Sequence, residues 1–140
     1  MIDARILAPA FAMVALTFVV WWRMFFMRIG QMKRERIHPQ AVATSAQMAA
    51  RLHDTRAADN FRNLFELPVL FYLALVVAAL AGLATPLVLG LAWTYVALRV
   101  VHSWIHCTYN RVRHRFYVFA SSTLVLVVLW VVLAAHLLAG

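Results

Sequence analysis

Four long apolar runs set the limits on what this chain can fold into. A helix needs about 20 mostly apolar residues to cross the hydrocarbon core of a bilayer, because each residue advances it by only about 1.5 Å. The run at 6–30 meets that length: from Ile6 to Val20 only Pro9 and Thr17 interrupt it, and Trp21, Trp22 and residues 24–27 extend it. Runs at 55–83, 86–111 and 115–138 meet it as well, the last polar after its start only at Ser121, Ser122, Thr123 and His136. Composition agrees. Of the 140 residues 65% are hydrophobic and 13% charged, and the mean hydropathy is +0.81, whereas soluble domains are about half apolar. The expected fold is all-α: one domain over 1–140, an integral membrane four-helix bundle whose short links make consecutive helices antiparallel, up and down.

A cleaved signal peptide would end its short apolar core at small residues, but the first run ends in Trp-Trp-Arg-Met-Phe-Phe-Met-Arg, bulky and basic, and is read as a retained helix. The net charge of +8 would suit nucleic acid in a soluble protein. Here the basic residues sit at the ends of apolar runs, where they report orientation, and no nucleic-acid partner is expected. The first connection carries Arg28, Lys33, Arg34, Arg36, Arg51 and Arg56, and the third carries Arg111, Arg113 and Arg115, while the second, Ala-Gly-Leu-Ala-Thr-Pro, carries none. Both basic connections are therefore expected in the cytoplasm and both termini on the opposite side, across the inner membrane if the chain is bacterial. Only Arg5 opposes that count, with Asp3 close by. The polar interval 30–54 holds no glycine-rich phosphate loop, and His38 and His53 lack the partners of a metal site, so no metal is expected. Cys107 is the only cysteine, which excludes an intrachain disulfide.

Polar residues inside the runs carry the functional signal, because an ionisable group in a membrane helix is costly unless other protein answers it. Asp59, Arg62, Asn63 and Glu66 follow i, i+3, i+4 and i+7, a single helical stripe, and Pro68 predicts a bend just beyond the carboxylate. In the next run Arg99, His102 and His106 share a face at i, i+3 and i+7. Ten residues separate Glu66 from Arg56 and twelve separate Arg99 from Arg111, so Glu66 and Arg99 lie roughly 15 and 18 Å from the same boundary. The expectation is a structural ion pair between Glu66 and Arg99, beneath a polar pocket that opens toward the cytoplasm. Arginines around one glutamate suit a small ligand with carboxylate and ammonium groups, and a cationic site favours a thiolate over a thiol.

In these residues the chain resembles the MAPEG family, membrane-associated proteins of eicosanoid and glutathione metabolism, and especially its microsomal glutathione transferase and prostaglandin E synthase branch. The resemblance rests on Arg-Asn-x-x-Glu at Arg62, Asn63 and Glu66 with Pro68 nearby, on Arg-x-x-His at Arg99 and His102, and on the basic pair Arg111 and Arg115. Their order and spacing agree over about 56–119. The resemblance implies a homotrimer with glutathione as co-substrate, bound between adjacent subunits by Arg62, Asn63, Glu66, His102 and Arg115, with Arg99 bracing the glutamate. Two positions depart from the synthase pattern: His106 and Phe119 stand where that branch has tyrosines. Arg115 and His106 are the catalytic candidates, as the groups that would favour the thiolate.

The leading expectation is a glutathione-dependent transferase or peroxidase that acts on apolar electrophiles or lipid hydroperoxides entering from the bilayer. The alternative is a non-catalytic membrane protein that serves as an accessory subunit or binds lipid through the same cleft, its buried Glu–Arg and His–Asn contacts specifying only helix register and assembly. A transporter is disfavoured by the lack of internal symmetry. A channel is disfavoured because the polar residues fill only half a span.

Overall fold

In the computed structural model, which describes residues 3–139, every regular element is helical and four helical stretches are long and apolar enough to cross a membrane. A short 3₁₀ turn at Ala4–Leu7 leads into α1, Ala8–Arg34, which has proline in its first turn, where the missing N–H costs nothing. After α1 the chain turns at Arg36 in the left-handed region (φ 51°) and passes through a 3₁₀ turn at Pro39–Val42. It then enters α2, Ser45–Arg51, whose Thr44 and Gln47 form a reciprocal capping box.

The second apolar run is two helices. α3 covers Arg56–Asn63 and α4 covers Leu67–Leu80, with Leu64, Phe65 and Glu66 between them outside the regular ladder. Pro68 is the physical cause: it has no N–H to give to the carbonyl of Leu64, and its ring crowds that turn. The expected bend is thus a full interruption. It also lets the two halves take different neighbours, since α3 packs on α1 and α5 whereas α4 packs on α6 and the N-terminal turn. α4 ends with Gly82 in the left-handed region (φ 68°), where the Leu83 N–H reaches the Ala78 carbonyl at 2.8 Å and the Gly82 N–H reaches Ala79 at 3.3 Å. A residue with a side chain would be strained there.

α5, Pro86–Cys107, starts at Thr85, whose hydroxyl accepts the Val88 N–H, and α6 covers Val112–Ala139. The two pack along each other over the turn at 108–111. Phe71, Ala74, Leu75, Ala78, Val88, Ala92, Tyr95, Leu129 and Leu133 form the fully or almost fully enclosed core. The outward faces of α1 and α6 expose large apolar side chains such as Phe11, Phe18, Leu124 and Val131, the pattern of helices that meet lipid instead of water.

Candidate functional site

α5 carries the polar core of the molecule. Tyr95, Arg99, His102 and His106 recur at i, i+4, i+7 and i+11, one face, and that face is turned inward: Arg99, His102 and His106 are 0%, 1% and 2% exposed. The His102 and His106 rings meet edge to face with centroids 5.6 Å apart. The Arg99 guanidinium lies 5.9 Å from the centre of the Phe119 ring, at the limit of a cation–π contact. Its Nη2 donates to the Asn63 carbonyl at 3.3 Å. That carbonyl belongs to the last turn of α3, where an unbroken helix would have supplied Leu67 as the donor. A cation at that helix end also suits the helix dipole.

Glu66 is not the partner of Arg99 in this structure. Among the described residues the ion pairs are Asp3–Arg5 and Asp54–Arg56, and Glu66 is exposed. Glu66 lies in the interruption between α3 and α4, where with Asn63 it lines a cavity instead of forming an ion pair with Arg99. Arg99 Nε and Nη1, His102 Nδ1, His106 Nδ1 and the Tyr95 hydroxyl are buried without a partner. Such a seam of orphaned polar atoms is unusual in a protein interior and asks for water or ligand.

Arg115 enters from the first turn of α6. Its Nη1 lies 2.9 Å from His106 Nε2 and donates to Asn110 Oδ1 at 2.8 Å. Asn110 is held in the left-handed region (φ 48°), which asparagine tolerates well, with its N–H on the Ile105 carbonyl at 2.9 Å. Both Nη1 hydrogens are therefore committed, and Nε and Nη2 remain for other partners. Asn63, Glu66, His102, Arg115, Phe116 and Phe119 line a cavity of about 260 Å³. One carboxylate and one guanidinium thus share a cleft with two aromatic rings.

The chain matches the MAPEG family over residues 6–135. It belongs to that family. No curated protein and no solved structure matches the chain. MAPEG proteins include glutathione transferases and peroxidases and related membrane proteins, members generally use glutathione, and many are trimers. Membership together with the four apolar helices makes this chain an integral membrane protein.

Within this MAPEG chain the expected ligand residues divide between two cavities. Asn63, Glu66, His102 and Arg115 line the cleft just described, while Arg62 lines a separate space of about 450 Å³ with Arg28, Ser45, Asp54 and Asp59. A third cavity, about 360 Å³ and almost wholly apolar, lies between Val14, Phe18 and Trp21 of α1 and Phe61, Phe65 and Tyr72 beside the helix interruption.

Asn60 is a buried polar residue outside the expected set. It is completely enclosed; its Nδ2 donates to Cys107 Sγ at 3.4 Å and its Oδ1 accepts from Ser103 Oγ at 3.4 Å, tying α3 to α5. Its signal was an amide inside an amphipathic turn, one helical step off the chosen stripe. Arg23 and Arg56 close the same end of α5 by donating to the carbonyls of Cys107 (2.7 Å) and Thr108. These carbonyls belong to the C-terminal end of α5, where no further turn supplies donors, so the arginines satisfy backbone the helix leaves open. Arg56 also binds Asp54, and this contact holds the Asp54 carboxyl below its ordinary carboxylate range.

Proposed function

We propose that this protein is a membrane-embedded glutathione-dependent enzyme, a transferase or peroxidase acting on apolar electrophiles or lipid hydroperoxides. The observation that carries the reading is the cleft in which Glu66 and Arg115 stand together against Phe116 and Phe119. Glutathione bears one ammonium and two carboxylates, so a site for it needs an anion and a cation at separated points. Glu66 is the partner for the ammonium. The free Nε and Nη2 of Arg115 form the planar fork that suits a carboxylate or a thiolate. Asn63 and His102 supply neutral hydrogen bonds, and His106 stands behind Arg115. Bound glutathione would supply the sulfur nucleophile, with its thiolate favoured by the surrounding positive charge. Arg99 braces the site through the Asn63 carbonyl.

The apolar cavity between α1 and the interruption is the entry we assign to the lipid-soluble co-substrate, because its walls are apolar and Phe18 and Phe65 are open to the bilayer side. The position of Arg62 on a different face is consistent with a homotrimer in which one subunit's Arg62 face completes the next subunit's cleft. An antiparallel order of the spans is supported by contacts of the N-terminal turn with α4 and of Arg23 with the end of α5. The bond from Arg56 to the Thr108 carbonyl brings both basic connections to one end, which we infer to be cytoplasmic, in the inner membrane if the source is bacterial.

Calorimetric titration of glutathione into the purified protein, followed by turnover with a halonitrobenzene, tests the proposal. Stoichiometric binding and turnover are expected, both lost in Glu66→Ala and Arg115→Ala. Unchanged binding in both variants would remove the cleft as the site, and absence of binding in the native protein would favour the accessory-subunit alternative.

A further inference from the structure

A guanidinium carries only hydrogen-bond donors and stays protonated throughout the physiological range. The contact of Arg115 Nη1 with His106 Nε2 at 2.9 Å therefore fixes the direction of the bond: Nε2 accepts. A neutral imidazole that accepts at Nε2 keeps its hydrogen on Nδ1. That nitrogen is buried and has no protein partner. The doubly protonated ring is disfavoured on the same geometry, since it would set an N–H against an N–H and one cation against another, with Arg99 on the same face two turns earlier.

The contact is also held from outside. The second hydrogen of Arg115 Nη1 is taken by Asn110 Oδ1 at 2.8 Å, and Asn110 is fixed in a left-handed turn by its own N–H bond to Ile105. His106 is pinned from the other side by the edge of the His102 ring. Neither partner can swing away without breaking the turn between α5 and α6.

We infer that Arg115 locks His106 as the neutral Nδ1–H tautomer, which makes His106 a fixed hydrogen-bond donor and excludes it as a base. Arg115 is then a positioning residue for His106 as well as a ligand contact. The inference about the tautomer stands on these contacts alone; its use rests on the glutathione reading, in which Arg115 faces the cleft and His106, behind it, orients that guanidinium. His106 cannot then receive the thiol proton, because its Nε2 is taken by Arg115 and its Nδ1 already carries hydrogen.

The test is long-range proton–nitrogen correlation on protein labelled at its histidine nitrogens, with His106→Gln assigning the signal among the six histidines. The native protein should show His106 as a neutral ring with hydrogen on Nδ1 at neutral pH. Arg115→Met should abolish that preference and bring up the Nε2–H form, and Arg115→Lys, which still donates, should retain it. Asn110→Ala keeps the guanidinium but frees it, and should give a mixture, which guards against an Arg115→Met protein that does not fold. A native ring with Nε2–H, a doubly protonated ring, or an Nδ1–H pattern unchanged in both Arg115→Met and Asn110→Ala overturns the inference. Glutathione added at low buffer strength separates the two claims. A His106 ring that stays neutral with hydrogen on Nδ1 once the thiolate has formed supports its exclusion as a base, and capture of the proton by that ring overturns it. Absence of binding overturns the glutathione reading and leaves the tautomer standing.

Discussion

The two halves of α5 share one helix and follow opposite rules. From Val88 to Val96 the inward side chains are Val88, Ala92, Tyr95 and Val96, closed against Phe71, whose ring stacks on Tyr95 with centroids 4.4 Å apart. From Arg99 to Cys107 the inward side chains are Arg99, His102, Ser103 and His106, and several of their polar atoms have no partner. A helix in a bilayer satisfies its own backbone, so apart from the unpartnered Tyr95 hydroxyl the first half needs only packing. The second half holds groups whose desolvation is costly and incompletely answered, and such groups persist where a ligand or water completes them. Stability and chemistry thus separate along one helix.

The largest effect that would sharpen this division is in the apolar half. Phe71→Ala should lower stability by about 3–5 kcal/mol, read from thermal unfolding in detergent, while leaving glutathione affinity of the surviving folded protein within about twofold. A matching loss of affinity would mean that the halves are coupled.

In the polar half of α5 and the cleft beside it the expected signs reverse. Glu66→Gln removes a charge from an exposed position, so melting should shift little. Glutathione binding should weaken by roughly 10- to 100-fold, the value of one charge-assisted hydrogen bond. Arg99→Met exchanges a buried guanidinium with unmet donors for an apolar chain of similar length. Stability should then stay within about 1 kcal/mol, because removal of buried charge compensates for the lost Asn63 contact, and affinity should fall about tenfold as the end of α3 loosens.

The smallest effect is a pH dependence at the connection. Arg56 holds the Asp54 carboxyl below its ordinary value, so this pair adds stability above the unfolded carboxyl's pKa of about 3.9, and the contribution fades as pH falls through the depressed value. The pair is partly exposed, so its worth is at most about 1 kcal/mol. Melting curves of native and Asp54→Asn protein should differ slightly at pH 7 and converge at low pH.

Much of this architecture was legible because membrane helices announce themselves through uninterrupted apolar length, and Arg99, His102 and His106 share an inward face because i, i+3 and i+7 spacing survives in an unbroken helix. The stripe on the second run survived only in part: Asn63 and Glu66 line one cleft, and Arg62 with Asp59 lines another. Axial counting places Glu66 and Arg99 at similar depth, but depth does not fix a contact: Arg99 donates to the Asn63 carbonyl at the end of α3, and Glu66 lies in the interruption beyond it. Asn60 is visible in the sequence as one of several polar residues in the first turns of the second run, but its burial is not: which face of so short a helix is inward depends on the neighbours α1 and α5, and those are set by tertiary packing. The contact of Arg115 with His106 crosses a turn whose shape depends on one left-handed asparagine, a feature that helical periodicity does not carry.

A structure determined with glutathione present tests the central claim most directly. The account predicts the tripeptide in the cleft of Asn63, Glu66, His102 and Arg115, with its ammonium on Glu66 and an anionic group on the free edge of Arg115. Glutathione seated away from both residues, or the same cleft empty at saturating concentration, would contradict it.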